Sequence, residues 1–231
     1  MTRLAVIGTG KMGRLVAALA PEMGFELVAT LGTERTRGGV TRESLARADV
    51  AVEFTVPSAA AGVVRDCASL GVPVVSGTTG WDVERASVES VVRGSVGALL
   101  WAPNFSIGAH LFARVVAEAA RQFATAGTAF DAHLIVTHHA QKLDAPSGTA
   151  RLLARVAEQA GGRGLPITSV RTGHVPGTHE VVFDAPFEQV RLVHEARDRR
   201  VFATGALTAA RWLVGKRGVF TLDDCLGEIA R

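Results

Sequence analysis

Residues 3–21 read RLAVIGTGKMGRLVAALAP, and their order decides the fold. RLAVIG is a short apolar run ending in glycine, the pattern of a strand buried on both faces. KMGRLVAALA then carries apolar residues at helical spacing and stops at Pro21. Between them lies Gly8-Thr9-Gly10-Lys11-Met12-Gly13, a GxGxxG turn. Such glycines let backbone N–H groups at a helix N-terminus approach a pyrophosphate, whose charge the helix dipole favours. Glycine-rich turns also occur without any ligand. The place of this one, between a first strand and the helix of a βα series, is what points to a dinucleotide.

Working outward, the alternation continues. FELVATLG, ADVAVEFTVP, VPVVSG and GALLWAP read as strands, with helical SAAAGVVRDCASLG and WDVERASVESVVRG between them. Apolar strands alternating with helices imply a parallel sheet covered on both faces. From about residue 104 the pattern changes. SIGAHLFARVVAEAARQFA is one long amphipathic helix, followed by the strand-like FDAHLIVTHH, ITSVRTGH, THEVVFDA, EQVRLVHEA and RRVFATG. GALTAARWLVG is a final helix, closed by Gly215. The expected fold class is α/β: a Rossmann-type parallel-sheet domain over residues 1–103, then an α+β unit with a mixed sheet over 104–205.

Bulk properties agree with an ordinary globular protein. Hydrophobic residues make up 48% and charged residues 20% of 231, enough to bury a core. The net charge of +3 and the scattered arginines give no basic stripe, so no nucleic-acid partner is expected. No apolar run reaches the ~18 residues of a membrane span. Cys67 and Cys225 are far apart and form no CxxC, which suggests free thiols in a reducing, cytoplasmic setting.

Three further stretches fit the dinucleotide. An acid is expected about 20 residues beyond the glycines to hold the adenosine ribose. Gly32 and Thr33 stand there instead, with Glu34 just after, and Arg35 and Arg37 close enough to meet a 2′-phosphate. Both NADH and NADPH are therefore expected cofactors. Gly77-Thr78-Thr79-Gly80 and Ala102-Pro103-Asn104-Phe105 each follow a strand, where ligands of open α/β sheets lie.

THHAQKLDAPSGTA, residues 137–150, is the chemically densest segment. Side chains alternate along a strand, so His138 and His139 point to opposite faces and cannot easily share a metal; no metal site is expected. Ser147 or Asp144 is placed to cap the following helix, whose first turn leaves the N–H groups of Gly148 and Thr149 open to an anion. Lys142 adds a cation. A small carboxylate would be held by the helix start and Lys142, and His138 or Lys142 would protonate what a hydride has just reduced.

This segment, with GTGKMGR, EFTVPSA, SGTTGW and APNFSIG, closely resembles the dihydrodipicolinate reductases, also called 4-hydroxy-tetrahydrodipicolinate reductases, of the diaminopimelate route to lysine. RTGHVPGTHEVVF, ARDRRVFATGAL and GVFTLDDCL resemble the family's C-terminal blocks, so the match runs through essentially the whole chain. The resemblance implies an NADH- or NADPH-dependent reduction of a cyclic dicarboxylate imine, with loss of water. It also implies a homotetramer built by the second domain's sheet, and a first domain completed by residues 206–231. By motif position, His138 and Lys142 are the proton donors. His139, Lys142, Ser147, Gly148 and Thr149 hold the substrate carboxylates. Gly8, Thr9, Gly10, Lys11, Met12, Gly77, Thr78, Thr79, Ala102, Pro103, Asn104 and Phe105 line the dinucleotide, with Arg199 near the nicotinamide. Three positions depart from the family pattern: Val136 stands for a usual glutamate, His110 for an asparagine, and Gly32 at the ribose. Two other readings stay open, an imine reductase for another cyclic imino acid and a non-catalytic dinucleotide-binding protein. The intact HHAQKLDAPSGTA argues against the second.

Overall fold

The computed structural model describes residues 1–36 and 38–229, except the side chains of Arg35 and Ile229. The chain runs β1 (Thr2–Ile7), α1 (Lys11–Leu19), β2 (Phe25–Leu31), α2 (Thr33–Thr36), β3 (Val50–Glu53), α3 (Pro57–Ser69), β4 (Val74–Ser76), α4 (Asp82–Arg93) and β5 (Ala98–Trp101). Then come α5 (Ile107–Ala124), β6 (Asp131–His138), α6 (Gly148–Gly161), β7 (Ile167–Arg171), β8 (Thr178–Ala185) and β9 (Glu188–Glu195). It closes with α7 (Arg200–Leu213), β10 (Gly218–Phe220) and α8 (Leu222–Ile229). Two compact units result, Met1–Phe105 with Arg200–Arg231, and Ser106–Arg199.

The first unit is a six-stranded sheet in the order β10-β5-β4-β3-β1-β2, every pair parallel. Its central strands are buried without alternation: Leu4 to Ile7, Val50 to Val52, Val74, Val75 and Ala98 to Leu100 have no exposed surface. Such runs need helices on both faces. Each fully buried Val, Leu or Ile contributes about 1.5–3 kcal/mol relative to exposure. The strand order reverses between β1 and β3, so the carboxyl ends of β1, β3, β4 and β5 open onto one crevice.

One expectation fails here. RRVFATG is not a strand; Arg200 to Leu213 form the single helix α7, which packs across β3, β4 and β5. Val201, Phe202 and Thr204 favour strands locally, and Gly205 looks like a break. The helical spacing of buried Ala203, Ala206, Leu207, Ala210 and Leu213 overrides both. Gly205 is required by close approach: a Cβ there would stand 1.7 Å from the Phe105 carbonyl oxygen. Strand β10 and helix α8 were not anticipated.

The second unit is a four-stranded sheet, β7-β6-β8-β9, with β6 and β7 parallel and the other pairs antiparallel. Leu134, Val136, Val181 and Phe183 on one face meet Ala113, Val116, Ala120, Ala150, Leu153 and Ala157 of α5 and α6. The opposite face carries Thr168, Val170, Arg191, Val193 and Glu180, with Glu180 paired to Arg191 at 2.5 Å. Among the described residues no helix is long and apolar enough to cross a membrane.

Candidate active site

In the first unit the three glycines of the β1–α1 turn do different work. Gly8 has φ +111°, and a Cβ on it would lie 2.0 Å from the Phe54 carbonyl oxygen. A Cβ on Gly13 would lie 1.8 Å from the Gly8 oxygen. These two close the turn and seat α1 against the sheet. Gly10, the N-cap of α1, faces open space. Thr9, Gly10 and Lys11 are exposed, and Met12 is half-buried. The cradle is thus bare where a pyrophosphate would approach and packed elsewhere, which fits a dinucleotide.

The loops after β3 and β4 are fixed by one carboxylate. Glu53 is fully buried and accepts four hydrogen bonds. The donors are the Thr55 amide (2.6 Å), the Thr55 hydroxyl (2.5 Å), the Thr78 hydroxyl (2.6 Å) and the Ser76 hydroxyl (2.6 Å). The Thr78 carbonyl accepts from the indoles of Trp81 and Trp101, at 2.8 and 3.0 Å. Thr78 is therefore held at both its side chain and its carbonyl, while Thr79 and Gly80 stay exposed at the loop tip. After β5, Ala102 and Phe105 are buried and Pro103 is exposed; the Phe105 ring meets Phe54 edge-on at 6.2 Å.

At the ribose position Thr33 and Glu34 open α2 and are exposed. A Cβ on Gly32 would sit 3.3 Å from the Thr9 hydroxyl. The two arginines expected at a 2′-phosphate, the Arg35 side chain and Arg37, lie outside the described residues. Arg199 is exposed immediately before α7.

In the second unit β6 delivers His138 buried on the helix-covered face, while His139 lies beyond the strand end and is half-buried. Ser147 caps α6: its hydroxyl accepts from the Ala150 amide at 3.2 Å. A Cβ on Gly148 would meet nothing within 4 Å, so this first turn faces open space. Asp144 does not cap. Its carboxylate pairs with the Lys142 ammonium at 2.6 Å. Burial pushes the Asp144 carboxyl up, but the hydrogen bond and charge of Lys142 outweigh it and hold it below its usual range. The open first turn of α6, the Lys142 ammonium and His138 are thus all carried by one stretch of chain.

Sequence reasoning missed what lies beside His138. Sheet register sets Arg171 of β7 opposite His138, and His194 of β9 opposite His179 of β8. All four face the helices. The His138 and His179 rings meet edge-on at 5.4 Å, and His179 lies 5.7 Å from His194, which packs on Phe112. Among the described residues the Nδ1 atoms of His138 and His194 and both ring nitrogens of His179 are buried without a hydrogen-bond partner. Burial, then the charges of Lys142 and Arg171, push His138 down to about 4, against an opposing pull from Asp144. Burial and repulsion from His138, His194 and Lys142 push His179 down to about 3. These rings are neutral at neutral pH. Val136, at the usual glutamate position, is fully buried and pairs with His179 in the sheet. Among the described residues no group of three or more His, Cys, Asp or Glu is arranged to hold a metal ion.

Comparison with known proteins gives one family. The model for the N-terminus of dihydrodipicolinate reductase matches residues 2–105, and that for its C-terminus matches 108–226. The 4-hydroxy-tetrahydrodipicolinate reductase of Acidiphilium cryptum is 36% identical over 252 residues, covering 97% of each chain. That of Christiangramia forsetii is 32% identical over 238 residues, covering 98% of each. Among solved structures, a dipicolinate-bound dihydrodipicolinate reductase from Paenisporosarcina sp. TG-14 superimposes with a TM-score of 0.78 at 25% identity, covering 96% of this chain and 97% of that one. Aspartate dehydrogenase from Thermotoga maritima, at 12% identity and a TM-score of 0.51, shares the fold.

Proposed function

The chain belongs to the dihydrodipicolinate reductase family, and from that premise we propose that it is an oxidoreductase that converts 4-hydroxy-tetrahydrodipicolinate to tetrahydrodipicolinate with NADH or NADPH, in the diaminopimelate route to lysine. One hydride and one proton add to the cyclic dicarboxylate imine and one water leaves. The nicotinamide cofactor, when bound, supplies the hydride. The first unit holds it, through Gly8 to Met12, Gly77 to Thr79 and Ala102 to Phe105, with Arg199 near its nicotinamide. The second unit holds the substrate.

The observation that carries this reading is the Lys142–Asp144 pair standing in one loop with the open first turn of α6 and the buried ring of His138. One substrate carboxylate takes the N–H groups of Gly148 and Thr149 beside the Ser147 cap. The other takes Lys142 and His139. Lys142 stands paired to Asp144 at 2.6 Å. The His138 ring starts neutral and takes up a proton only when two carboxylates add negative charge beside it. Lys142 and His138 then protonate the reduced ring.

NADPH is expected to serve at least as well as NADH, because no acid stands at Gly32 and Arg35 is close in sequence. We further propose a cytoplasmic homotetramer, in keeping with two free, buried cysteines and the bare outer face of the second sheet. The test is oxidation of each cofactor by the purified protein with freshly made 4-hydroxy-tetrahydrodipicolinate. Turnover of a different cyclic imino acid alone, or no turnover at all, would overturn the assignment.

A further inference from the structure

Arg171 has an unusual set of partners. Its Nε donates to the Lys142 carbonyl at 3.1 Å, one terminal nitrogen donates to the Asp144 carbonyl, and the other to the Val170 carbonyl at 2.9 Å. No carboxylate pairs with it among the described residues. A surface arginine ordinarily points to water or an acid. This one, half-buried at the end of β7, holds two main-chain carbonyls two residues apart in the loop that carries the candidate proton donor. Around it the strand end grips the same loop twice more. The Thr172 amide donates to the His138 carbonyl at 2.9 Å, and the Ala140 amide donates to the Gly173 carbonyl at 3.2 Å.

We propose that Arg171 is a positioning residue for the reaction: by fixing the backbone at both Lys142 and Asp144, its guanidinium determines where the Lys142 ammonium stands. The physical reason is leverage. A lysine has four rotatable bonds and no preferred place of its own. Here its Cα is set through its carbonyl, and its ammonium is set by a carboxylate whose own Cα is set by the same guanidinium. Only arginine's rigid fork reaches both carbonyls at once; a lysine at 171 offers a point charge. Arg171 need not touch the substrate. The proposal rests on the reading of Lys142 as a proton donor and carboxylate ligand.

The experiment is a double-mutant cycle on the full-length protein with Arg171→Met, Arg171→Lys and Lys142→Met. It reads kcat, the KM for the dicarboxylate, and NADPH affinity by direct binding without turnover. Arg171→Met is expected to lower kcat/KM for the dicarboxylate on the order of 10²-fold, as misplacement of a catalytic group does, with NADPH affinity kept. Arg171→Lys is expected to fall between, and added guanidinium ion to restore part of the activity of Arg171→Met but none of that of the Arg171→Met,Lys142→Met double variant. In the Lys142→Met background, Arg171→Met should change little. Should Arg171→Met not fold, Arg171→Lys carries the cycle alone. An equal loss from Arg171 substitution with and without Lys142 would overturn the proposal, since the arginine would not be acting through that lysine. So would wild-type kinetics in the Arg171 variants with Lys142→Met slow. Wild-type kinetics in Lys142→Met would instead bring down the underlying assignment, and this proposal with it.

Discussion

Glu53 accepts four hydrogen bonds in a site closed to water, so replacing it strands donors rather than freeing them. A buried donor left unmade costs about 1–3 kcal/mol. Glu53→Ala is therefore expected to lower stability by roughly 2–4 kcal/mol, measured by the denaturant midpoint. Glu53→Gln, which presents an amide to hydroxyls that can rotate, should lose less. In both, the KM for NADPH should rise while that for the dicarboxylate holds; a parallel rise in both would argue against a role confined to the cofactor loops. At the other site, Lys142→Ala removes a charge-assisted contact worth about 1.5–3 kcal/mol. A fall in kcat/KM of at least about tenfold is expected. His138→Gln should lower kcat mainly, by something like the ~10²-fold at the lower end of general acid catalysis, and His139→Gln should raise KM mainly. Matching profiles for the two histidine variants would contradict their separate placement, one buried on β6 and one beyond its end.

At the scale of elements, the end of the second sheet responds to acid. His138, His179 and His194 all have folded-state pKa values below the ordinary imidazole value of 6.5. Above about pH 6.5 the rings are neutral both folded and unfolded, and nothing is lost. As pH falls toward about 4, the unfolded chain takes up protons that the folded chain refuses, so stability falls. Each ring contributes at most about 1.4 kcal/mol per pH unit over that window. The melting temperature should drop between about pH 7.5 and about pH 5, and His179→Phe, keeping an apolar ring in place, should flatten the drop. An unchanged pH dependence in that variant would mean the loss arises elsewhere. The same elements mark the limit of the sequence. The β1 turn and the HHAQKLDAPSGTA segment were legible because strand, turn, cap and charge are local there. Arg171, His179 and His194 were not, because they come from three separate strands and only sheet register sets them beside His138. GVF was too short to declare itself a strand. In RRVFATG local β preference hid a helix whose buried spacing continues beyond it. Nothing in the sequence singled out Glu53, because its donors, on Thr55, Ser76 and Thr78, come from the ends of two strands and the loops after them and meet only in the folded sheet.

For the whole molecule, the outer face of the second sheet, with Val170, Val193 and the Glu180–Arg191 pair, is the surface where copies are expected to associate. Light scattering coupled to size separation should give four chains, and Val193→Asp should shift the mass downward; a monomer at micromolar concentration would contradict the homotetramer. The make-up of the first unit bears on how the protein comes into being. Strand β10, which pairs with β5, follows it by more than a hundred residues, and α7 comes only shortly before. A ribosome adding roughly 5–20 residues per second leaves that edge of β5 waiting on the order of 10 s. During that interval the nascent chain shows one unpaired edge of an apolar strand, Ala98 to Trp101, to its neighbours. The cofactor-binding half, first to be translated, is the last to be finished.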